Sequence, residues 1–336
     1  MKDDRAVTLA WTGKTSLIGD REASPRGPVK ATPKLAAVEP ARKFERGEIY
    51  QGDNLAMLTA LAAQCPETVT LAYLDPPFLT GRLHAKIIKG DTLDLRTTRV
   101  AFDDRWSDRA AYLQALGDRI VMARKLLAAH GSMVVHVDTK TSHYVKVMMD
   151  EIFGEECFAS EIVWRYRRWP SKTPNFQRVH DVLLRYRKNA DVAPRWNTLY
   201  EPLAASTLAT WGMNKQRAVV SETGRRARSS TTEEKSHGVP MGDVWDIGVI
   251  APVARERTGY PSQKPEALLE RLIEALSSPG DVVLDPYAGS GTTLAVAARL
   301  ERRFIGIDAS DVAMETLTAR LESAFRPAYA RRKLTR

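Results

Sequence analysis

Cysteine is scarce in this sequence, and its only two cysteines, Cys65 and Cys157, stand in unrelated contexts. Neither belongs to a Cys-x-x-Cys pair or to a Cys/His spacing typical of zinc ligands. The sequence therefore gives no framework of disulfide bonds and no structural zinc site. We predict no bound metal.

Long apolar runs are also missing. No stretch approaches the roughly 18 apolar residues of a membrane-spanning helix, and the first residues, Met1 to Arg5, lack the apolar run of a signal peptide. We therefore expect a soluble, cytoplasmic protein of the bacterial type with no membrane partner. Its 336 residues, 43% of them hydrophobic, are enough to bury a sizeable core.

Acidic residues are sparse in one part of the chain. The net charge is +9, and residues 165–235 alone hold 15 Lys and Arg against 6 Asp and Glu, which equals the whole excess. Aromatic residues are interleaved with these cations, among them Trp164, Trp169, Trp196 and Trp211. This pattern is typical of nucleic-acid binding. Core aromatics beside a solvated charged face are the alternative.

Apolar periodicity predicts alternating strands and helices. A strand over 47–53, a helix over 54–61 and a strand over 68–74 form a βαβ unit. The later patterns predict helices over 108–129, 141–153, 265–276, 292–300 and 312–325, and strands over 132–137, 157–164, 179–186, 282–284 and 304–307. Residues 79–105 predict a long loop, and 188–245 an irregular insertion. His136 falls in a strand, where a satisfied core histidine is favoured over a catalytic one.

Asp75 follows the strand over 68–74 and precedes two prolines and Phe78. In open α/β sheets, ligands bind at the carboxyl ends of the strands, so this carboxylate is predicted to lie at a binding edge. The Asp75 carboxylate and the Pro76 carbonyl could each accept one N–H of an amino group on a planar base, while Phe78 stacks on the ring. An ordinary turn is the alternative.

A second motif, from Asp281 to Thr293, reads as strand, glycine turn and helix. The backbone N–H groups of such a turn approach a bound ligand. The next strand ends at Asp308, about 20 residues beyond Asp285, where an acidic side chain commonly binds ribose hydroxyls. Leu294 stands where a dinucleotide-binding sequence has its third glycine, so the pattern favours a nucleoside. A plain βα turn is the alternative.

Taken together, these motifs resemble those of the amino-methylating DNA methyltransferases. Asp75-Pro76-Pro77-Phe78 is similar to the catalytic motif of that family, and residues 285–291, Asp-Pro-Tyr-Ala-Gly-Ser-Gly, are similar to its S-adenosylmethionine motif. Further similar segments are Gly52-Asp53, His180-Asp181, Asp243-Val244-Trp245 and residues 258–265. The resemblance covers roughly residues 47–325, and its order, catalytic motif before cofactor motif, resembles the permuted beta-type arrangement.

The resemblance implies a Rossmann-like, S-adenosylmethionine-dependent methyltransferase fold of the α/β class, with a circularly permuted, mixed but mostly parallel seven-stranded sheet. We expect a flexible basic leader over 1–43 and a methyltransferase domain over 44–336. Within that domain we expect a catalytic half over 44–187, an inserted target-recognition region over 188–255, a cofactor-binding half over 256–325 and a basic tail over 326–336.

The resemblance also implies roles for individual residues. The catalytic residues would be Asp75, Pro76, Pro77 and Phe78, and those that bind S-adenosyl-L-methionine would be Asp53, Lys264, Asp285, Tyr287, Gly289, Gly291, Thr292 and Asp308. Tyr287 stands where relatives often have Phe, and its stacking or packing should survive that change. Asp308 stands where relatives often have Glu, so its contact with a ribose hydroxyl would be shorter or water-bridged. From the charge distribution, the residues expected to contact duplex DNA are Arg165, Arg167, Arg168, Lys172, Lys215, Arg217, Arg225, Arg226 and Arg228.

The implied reaction is direct methyl transfer to an exocyclic amine, N6 of adenine or, as the alternative, N4 of cytosine. The base would be flipped out of the duplex, and two fixed acceptors would favour a pyramidal nitrogen. Methylation at C5 of cytosine needs a cysteine nucleophile, for which neither cysteine has the context. Asp at position 75 favours adenine. An RNA methyltransferase and a non-catalytic DNA-binding subunit are weaker alternatives, and a homodimer, a cognate restriction endonuclease and nucleoid association through DNA are further expectations.

Overall fold

The computed structural model of the chain describes residues 9–11, 14, 47–89, 96–170, 172, 174–213, 218–220, 224–228, 235–324 and 330–333. They divide into two compact units, one from the described parts of 1–196 and 243–336, the other from those of 197–242. Most of the expected leader lies outside the described residues. Of that segment, Leu9 and Trp11 pack against the core, and the Lys14 Nζ atom lies 2.6 Å from Oε2 of Glu151.

The strands and helices follow the predicted alternation. In chain order they are β1 (Gly47–Gln51), α1 (Asn54–Gln64), β2 (Val69–Leu74), β3 (Leu83–Lys89), β4 (Arg96–Asp103), α2 (Arg109–Leu126), β5 (Leu127–Val137), α3 (Ser142–Phe153), β6 (Phe158–Arg165), β7 (His180–Arg187), β8 (Tyr200–Glu201), α4 (Ala205–Trp211), β9 (Ala218–Val220), β10 (Arg226–Arg228), β11 (Val239–Pro240), β12 (Val244–Asp246), α5 (Glu266–Leu276), β13 (Val282–Asp285), α6 (Thr292–Arg299), β14 (Arg303–Asp308), α7 (Asp311–Ala324) and β15 (Ala330–Lys333).

Nine strands form the central sheet of the first unit, in the order β12, β6, β7, β5, β2, β13, β14, β1, β15. All neighbouring pairs are parallel except the two that involve β7. The predicted mixed, mostly parallel sheet is therefore confirmed. It is wider than the expected seven strands because the short strands β12 and β15 extend its two edges, and residues 330–333 of the expected basic tail thus pair with β1.

The order of the strands follows the predicted permutation. The strands of the cofactor motif, β13 and β14, come late in the chain but lie between β2 and β1. Register places Gln51 opposite Asp308, and Leu284 opposite Ala72. Because these strands are parallel, their carboxyl ends meet at one edge of the sheet, where segments distant in sequence become neighbours.

Helices α1 and α2 pack on the sheet because their apolar residues recur at helical spacing. Leu58 and Leu61 of α1, and Leu116 and Ile120 of α2, are almost completely buried. Burial of each such side chain contributes roughly 2 kcal/mol to folding. The Asp53 carboxylate accepts a hydrogen bond from the Ala56 backbone N–H, 3.0 Å, and so fixes where α1 begins, directly after β1.

The stretch over 79–105 is not the long loop that its charge predicted. Strands β3 and β4 pair antiparallel and form a two-stranded ribbon of their own. Leu83, Ala85 and Ile87 occupy every second position of β3, as in a strand. The many charged residues around them made this alternation hard to recognise in the sequence. Residues 90–95, between the strands, lie outside the described part of the chain.

The second unit contains two small antiparallel pairs, β8 with β11 and β9 with β10, together with α4. Its bounds, 197 and 242, lie inside those expected for the inserted region, 188 and 255. In neither unit is any described helix both long and apolar enough to cross a membrane.

Candidate active site

One cavity at the carboxyl edge of the sheet brings the two predicted motifs together. The predicted residues that line it are Asp53, Asp75, Pro76, Pro77, Phe78, Lys264, Asp285, Tyr287, Gly289, Thr292 and Asp308. Gly291, which was expected to hold the cofactor, is not among them. Its φ is +73°, and a Cβ atom there would approach Leu317 to 2.7 Å, so this glycine turns the chain into α6 and permits close packing on α7.

The loop that carries Phe78 is held by Asp104, a residue the sequence reasoning missed. Asp104 is fully buried, and its carboxylate accepts hydrogen bonds from the backbone N–H groups of Leu79, 3.0 Å, and Thr80, 2.8 Å. It also accepts from the Thr80 hydroxyl and from the Trp106 indole N–H. Leu79 has φ +55°, an unusual value for leucine, which these bonds hold in place. No sequence motif marks Asp104, because Leu79 and Thr80, the residues it holds in the loop, precede it by 25 and 24 residues.

Lys264 reaches the carboxylate of Asp75. Its Nζ atom lies 2.7 Å from Oδ1 of Asp75 and 4.9 Å from the centre of the Phe78 ring. Lys264 is mostly buried, with 9% of its surface exposed, so this ion pair lies largely out of solvent. The sequence predicted Lys264 beside the cofactor. Its ammonium contacts Asp75 of the first motif, and its backbone carbonyl accepts a hydrogen bond from the Thr292 hydroxyl beside the second, 3.2 Å.

Burial raises the pKa values of two carboxyl groups, one at the end of β13 and one at the end of β14. Burial raises the pKa of Asp285 to about 7, although hydrogen bonds from Thr293 and from the Tyr287 backbone oppose the rise. Burial also raises the pKa of Asp308, whose carboxylate accepts from the backbone N–H groups of Gly289, 2.8 Å, and Ser310, 2.9 Å. Asp308 is thereby held against the glycine turn.

Asp53 stands at the rim of the cavity. One of its carboxylate oxygens caps α1, and the other lies 3.1 Å from the Arg119 guanidinium. The neighbouring Asn54 donates through Nδ2 to the Pro286 carbonyl, 2.9 Å, which ties the start of α1 to the turn after β13. Arg119 also donates to the Asn54 side chain. Arg119 and Asn54 carried no signal in the sequence.

His136 is fully buried directly behind Asp75. Its Nδ1 atom lies 2.8 Å from the Tyr73 hydroxyl and 3.9 Å from Oδ1 of Asp75, and its Nε2 atom lies 3.4 Å from Oδ2 of Asp181. Burial, and then the nearby charge of Lys264, lower the pKa of His136. A core histidine was predicted, but its neighbours were not, because they lie on or directly after β2 and on β7, which flank β5 only in the folded sheet.

Asp181 is also bonded on its other side. The Tyr166 hydroxyl donates to its Oδ1 atom, 2.9 Å, and the Arg168 guanidinium donates to the Tyr166 oxygen, 3.2 Å. Burial alone would raise the pKa of Asp181, but His136, Lys264 and Tyr166 together lower it. A row of neighbouring polar groups, here called the polar chain, thus leads from exposed Arg168 through Tyr166, Asp181 and His136 to Tyr73, which lines the cavity.

The residues expected to contact DNA fall in both units. In the first unit, Arg167, Arg168 and Lys172 are exposed, and Arg165 pairs with Asp246. In the second unit, Arg225 is exposed, and Arg226 and Arg228 belong to β10. Lys215 and Arg217 lie outside the described residues.

The aromatic residues of the basic stretch divide between core and surface. Trp164, Tyr166 and Tyr186 are buried, as the structural alternative predicted. Trp169 is 93% exposed, and Phe176, on the same loop between β6 and β7, is 98% exposed. Because β6 ends and β7 begins at the carboxyl edge, this loop leaves the sheet on the side of the cavity. Among the described residues, no group of three or more His, Cys, Asp or Glu is placed to hold a metal ion.

Comparison with known proteins gives a consistent picture. A family model for N6 and N4 methyltransferases, described as DNA methylase, matches residues 69–319. The DNA adenine methyltransferase YhdJ of Escherichia coli (strain K12) is 30% identical over 281 residues, which cover 83% of this chain and 84% of the relative. The type II methyltransferase M.EcaI of Enterobacter cloacae is 28% identical and covers 80% of this chain and 68% of its own.

Two solved structures share the fold at low sequence identity. The cytosine-N4-specific PvuII DNA methyltransferase is 18% identical, with a TM-score of 0.53, and covers 82% of this chain and 86% of its own. TTHA0409 of Thermus thermophilus, described as a DNA modification methylase and complexed with S-adenosyl-L-methionine, is also 18% identical, with a TM-score of 0.52 and coverages of 86% and 99%.

Proposed function

Since the chain belongs to the DNA methylase family of N6 and N4 methyltransferases, we propose that it transfers a methyl group from S-adenosyl-L-methionine to the N6 amine of adenine in duplex DNA. One observation carries the proposal: the cavity is lined by Asp75-Pro76-Pro77-Phe78 on one side and by the ends of β13 and β14 on the other. The aspartate at position 75 and the 30% identity to an adenine methyltransferase support N6 over N4.

The ends of β13 and β14 suit a nucleoside cofactor. The Asp308 oxygens already accept two backbone N–H groups and retain lone pairs for ribose hydroxyls. At Gly289, where φ is +48°, a side chain would strain the backbone, and its Cβ atom would crowd the Tyr260 ring at 3.2 Å. Bound S-adenosyl-L-methionine supplies an electrophilic methyl group on a cationic sulfur.

Asp75 and the Pro76 carbonyl are the acceptors we assign to the target amine. An amine held by both would direct its lone pair away from the ring and toward the cofactor side of the cavity. An incoming amine competes with the Lys264 ammonium for the Asp75 carboxylate, so Lys264 must share or release that carboxylate when the base enters. Phe78 would stack on the base and offset part of the cost of flipping it.

The DNA would approach from the carboxyl edge of the sheet. Exposed Arg167, Arg168 and Lys172 on the loop between β6 and β7 would contact phosphates, and Trp169 and Phe176 on the same loop are free of core packing. We assign target recognition to this loop together with the second unit. Binding to DNA would place the protein at the nucleoid, in the cytoplasm. A homodimer and a cognate endonuclease stay predictions.

Mass spectrometry of nucleosides tests the proposal. Unmethylated genomic DNA is incubated with the protein and S-adenosyl-L-methionine, and N6-methyladenine is the expected product. Asp75→Ala should lower its formation by roughly 100-fold or more while binding of S-adenosyl-L-methionine persists, because Asp75 acts on the amine. Asp191→Asn, at an exposed carboxylate, is the control and should match the wild type.

The other outcomes are equally informative. N4-methylcytosine would retain the chemistry and overturn the choice of base. Full activity of the Asp75→Ala variant, or no methylated nucleoside from the wild type, would overturn the assignment of the site.

A further inference from the structure

The polar chain behind the cavity has ends whose hydrogen-bonding roles are fixed. Arg168 can only donate, so the Tyr166 oxygen accepts from it, and the Tyr166 hydroxyl donates its own proton to Asp181. A lone pair on the His136 Nε2 atom, 3.4 Å from the Asp181 carboxylate, would face its negative charge, so we place the imidazole proton on Nε2. With the imidazole proton on Nε2, each donor in this row of polar groups has a single direction.

His136 links the polar chain to Tyr73 at the cavity. A buried, neutral imidazole has one N–H, and with the proton on Nε2 its Nδ1 atom is an acceptor. The Tyr73 hydroxyl, 2.8 Å away, must then donate to Nδ1. Burial, together with the nearby Asp75 carboxylate, raises the pKa of Tyr73 well above its usual value, so the hydroxyl keeps its proton.

We propose that Asp181 and His136 are positioning residues that hold the proton of the Tyr73 hydroxyl on the buried side, so that Tyr73 serves the cavity as a hydrogen-bond acceptor for an amino group of a bound substrate. This inference rests on the proposed function. Tyr73 precedes Asp75 by two residues and lines the same cavity. Two lone pairs of its oxygen remain after the bond to His136, and a partner there must be a donor.

The proposed reaction offers two such donors. One is the exocyclic amine of the target base, which enters beside Asp75, and the other is the α-ammonium group of S-adenosyl-L-methionine. Both present N–H groups and no acceptor when they approach Tyr73. A hydroxyl that was free to rotate could also donate into the cavity. A hydroxyl that donates to His136 can only accept there, and so favours ligand groups that carry N–H donors.

Tyr73→Phe, which removes the hydroxyl and keeps the ring, is the first test. Tyr112→Phe is the matched control, because Tyr112 is 1% exposed, as Tyr73 is, and does not line the cavity. A roughly 10-fold loss of kcat at saturating substrates, with an unchanged Kd for S-adenosyl-L-methionine, would assign the target amine. A roughly 10-fold rise of that Kd would assign the cofactor ammonium. If neither changes while the wild type is active, the inference is overturned.

Asp181→Asn tests the positioning role. The Tyr166 hydroxyl would bind the new amide oxygen, so the NH2 group would face Nε2 of His136 and shift the imidazole proton to Nδ1. The Tyr73 hydroxyl would then donate into the cavity, and activity should fall at least as far as in Tyr73→Phe. The double variant should be no worse than the poorer single variant, whereas a purely structural effect of Asp181 would add to that of Tyr73.

The ¹⁵N chemical shifts of His136 report the tautomer directly. We expect an Nε2–H imidazole in the wild type and an Nδ1–H imidazole in Asp181→Asn. An Nδ1–H form in the wild type would overturn the inference. This readout needs no turnover, so it separates failure of the positioning chain from failure of the proposed methyl transfer.

Discussion

At the scale of single residues, burial gives carboxyl groups at the same edge of the sheet different properties. Asp285 is 2% exposed and has no cationic partner among the contacts that set its pKa, which rises to about 7. Asp181, with His136, Lys264 and Tyr166 around it, has a lowered pKa instead. The two groups therefore act in opposite directions on the pH dependence of stability.

The raised pKa of Asp285 predicts that the folded state loses stability as the pH rises. From its ordinary pKa of 3.8 up to about 7, the folded state keeps a proton that the unfolded state has released. The free energy of unfolding should therefore fall across this window, and Asp285→Asn should remove that part of the fall, by at most about 1.4 kcal/mol per pH unit. Urea unfolding at about pH 4, 5.5 and 7.5 measures it. Parallel curves for variant and wild type would contradict the prediction, and Asp191→Asn is the control.

The site shows how far residue-level prediction reached. Asp75, Asp285 and Asp308 were predicted because each follows or ends a recognisable buried strand, and all three line the cavity. Asp104 and Asp181 could not be assigned such neighbours, because their partners come from strands or loops that only folding brings close. Gly291 matched a motif, but its partner Leu317 lies on a helix that the motif does not include.

At the scale of elements, long runs with a regular apolar period were predicted correctly, whereas short or interrupted ones were missed. Helix α5 was predicted from Leu268, Leu269, Leu272, Ile273 and Leu276, and all five are buried. Strands β3 and β4 were missed because charged residues interrupt their alternation, and β12 and β15 are too short to show a period. Tertiary pairing, rather than local preference, determines such short strands.

The loop between β6 and β7 carries a prediction of its own. Trp169 and Phe176 are both exposed in this loop, and the Gln177 side chain donates to the Trp169 carbonyl at 2.6 Å. We expect Trp169→Ala and Phe176→Ala each to reduce flipping of the target base by roughly 10-fold, through lost stacking in the opened duplex. Fluorescence of 2-aminopurine at the target position measures this. Trp169→Phe should retain most of the signal, and unchanged signals in both alanine variants would exclude the loop.

At the scale of the whole molecule, the net charge of +9 predicts binding that weakens with salt. The slope of log affinity against log salt concentration is negative, and Arg167→Ala and Lys172→Ala should each make it shallower by about 1. Lys125→Ala is the control, because Lys125 is exposed near the end of α2, at the opposite edge of the sheet. An equal change in the control would show a general effect of charge.

The same measurement examines the second unit. If Arg225, Arg226 and Arg228 contact phosphates as predicted, their alanine variants should weaken binding to all DNA sequences and reduce the salt slope. A salt slope equal to that of the wild type in all three would place the DNA on the first unit alone.

The strand order also determines when the enzyme can first act during its synthesis. Strands β13 and β14 leave the ribosome after β1 and β2 but lie between them in the sheet. Until residue 308 has emerged, Asp285 and Asp308 cannot both be in place, and the edges of β1 and β2 that will face these strands have no partner. A nascent chain therefore carries Asp75-Pro76-Pro77-Phe78 without the opposite wall of the cavity, and under the proposed function it would not methylate DNA before its late strands have been inserted.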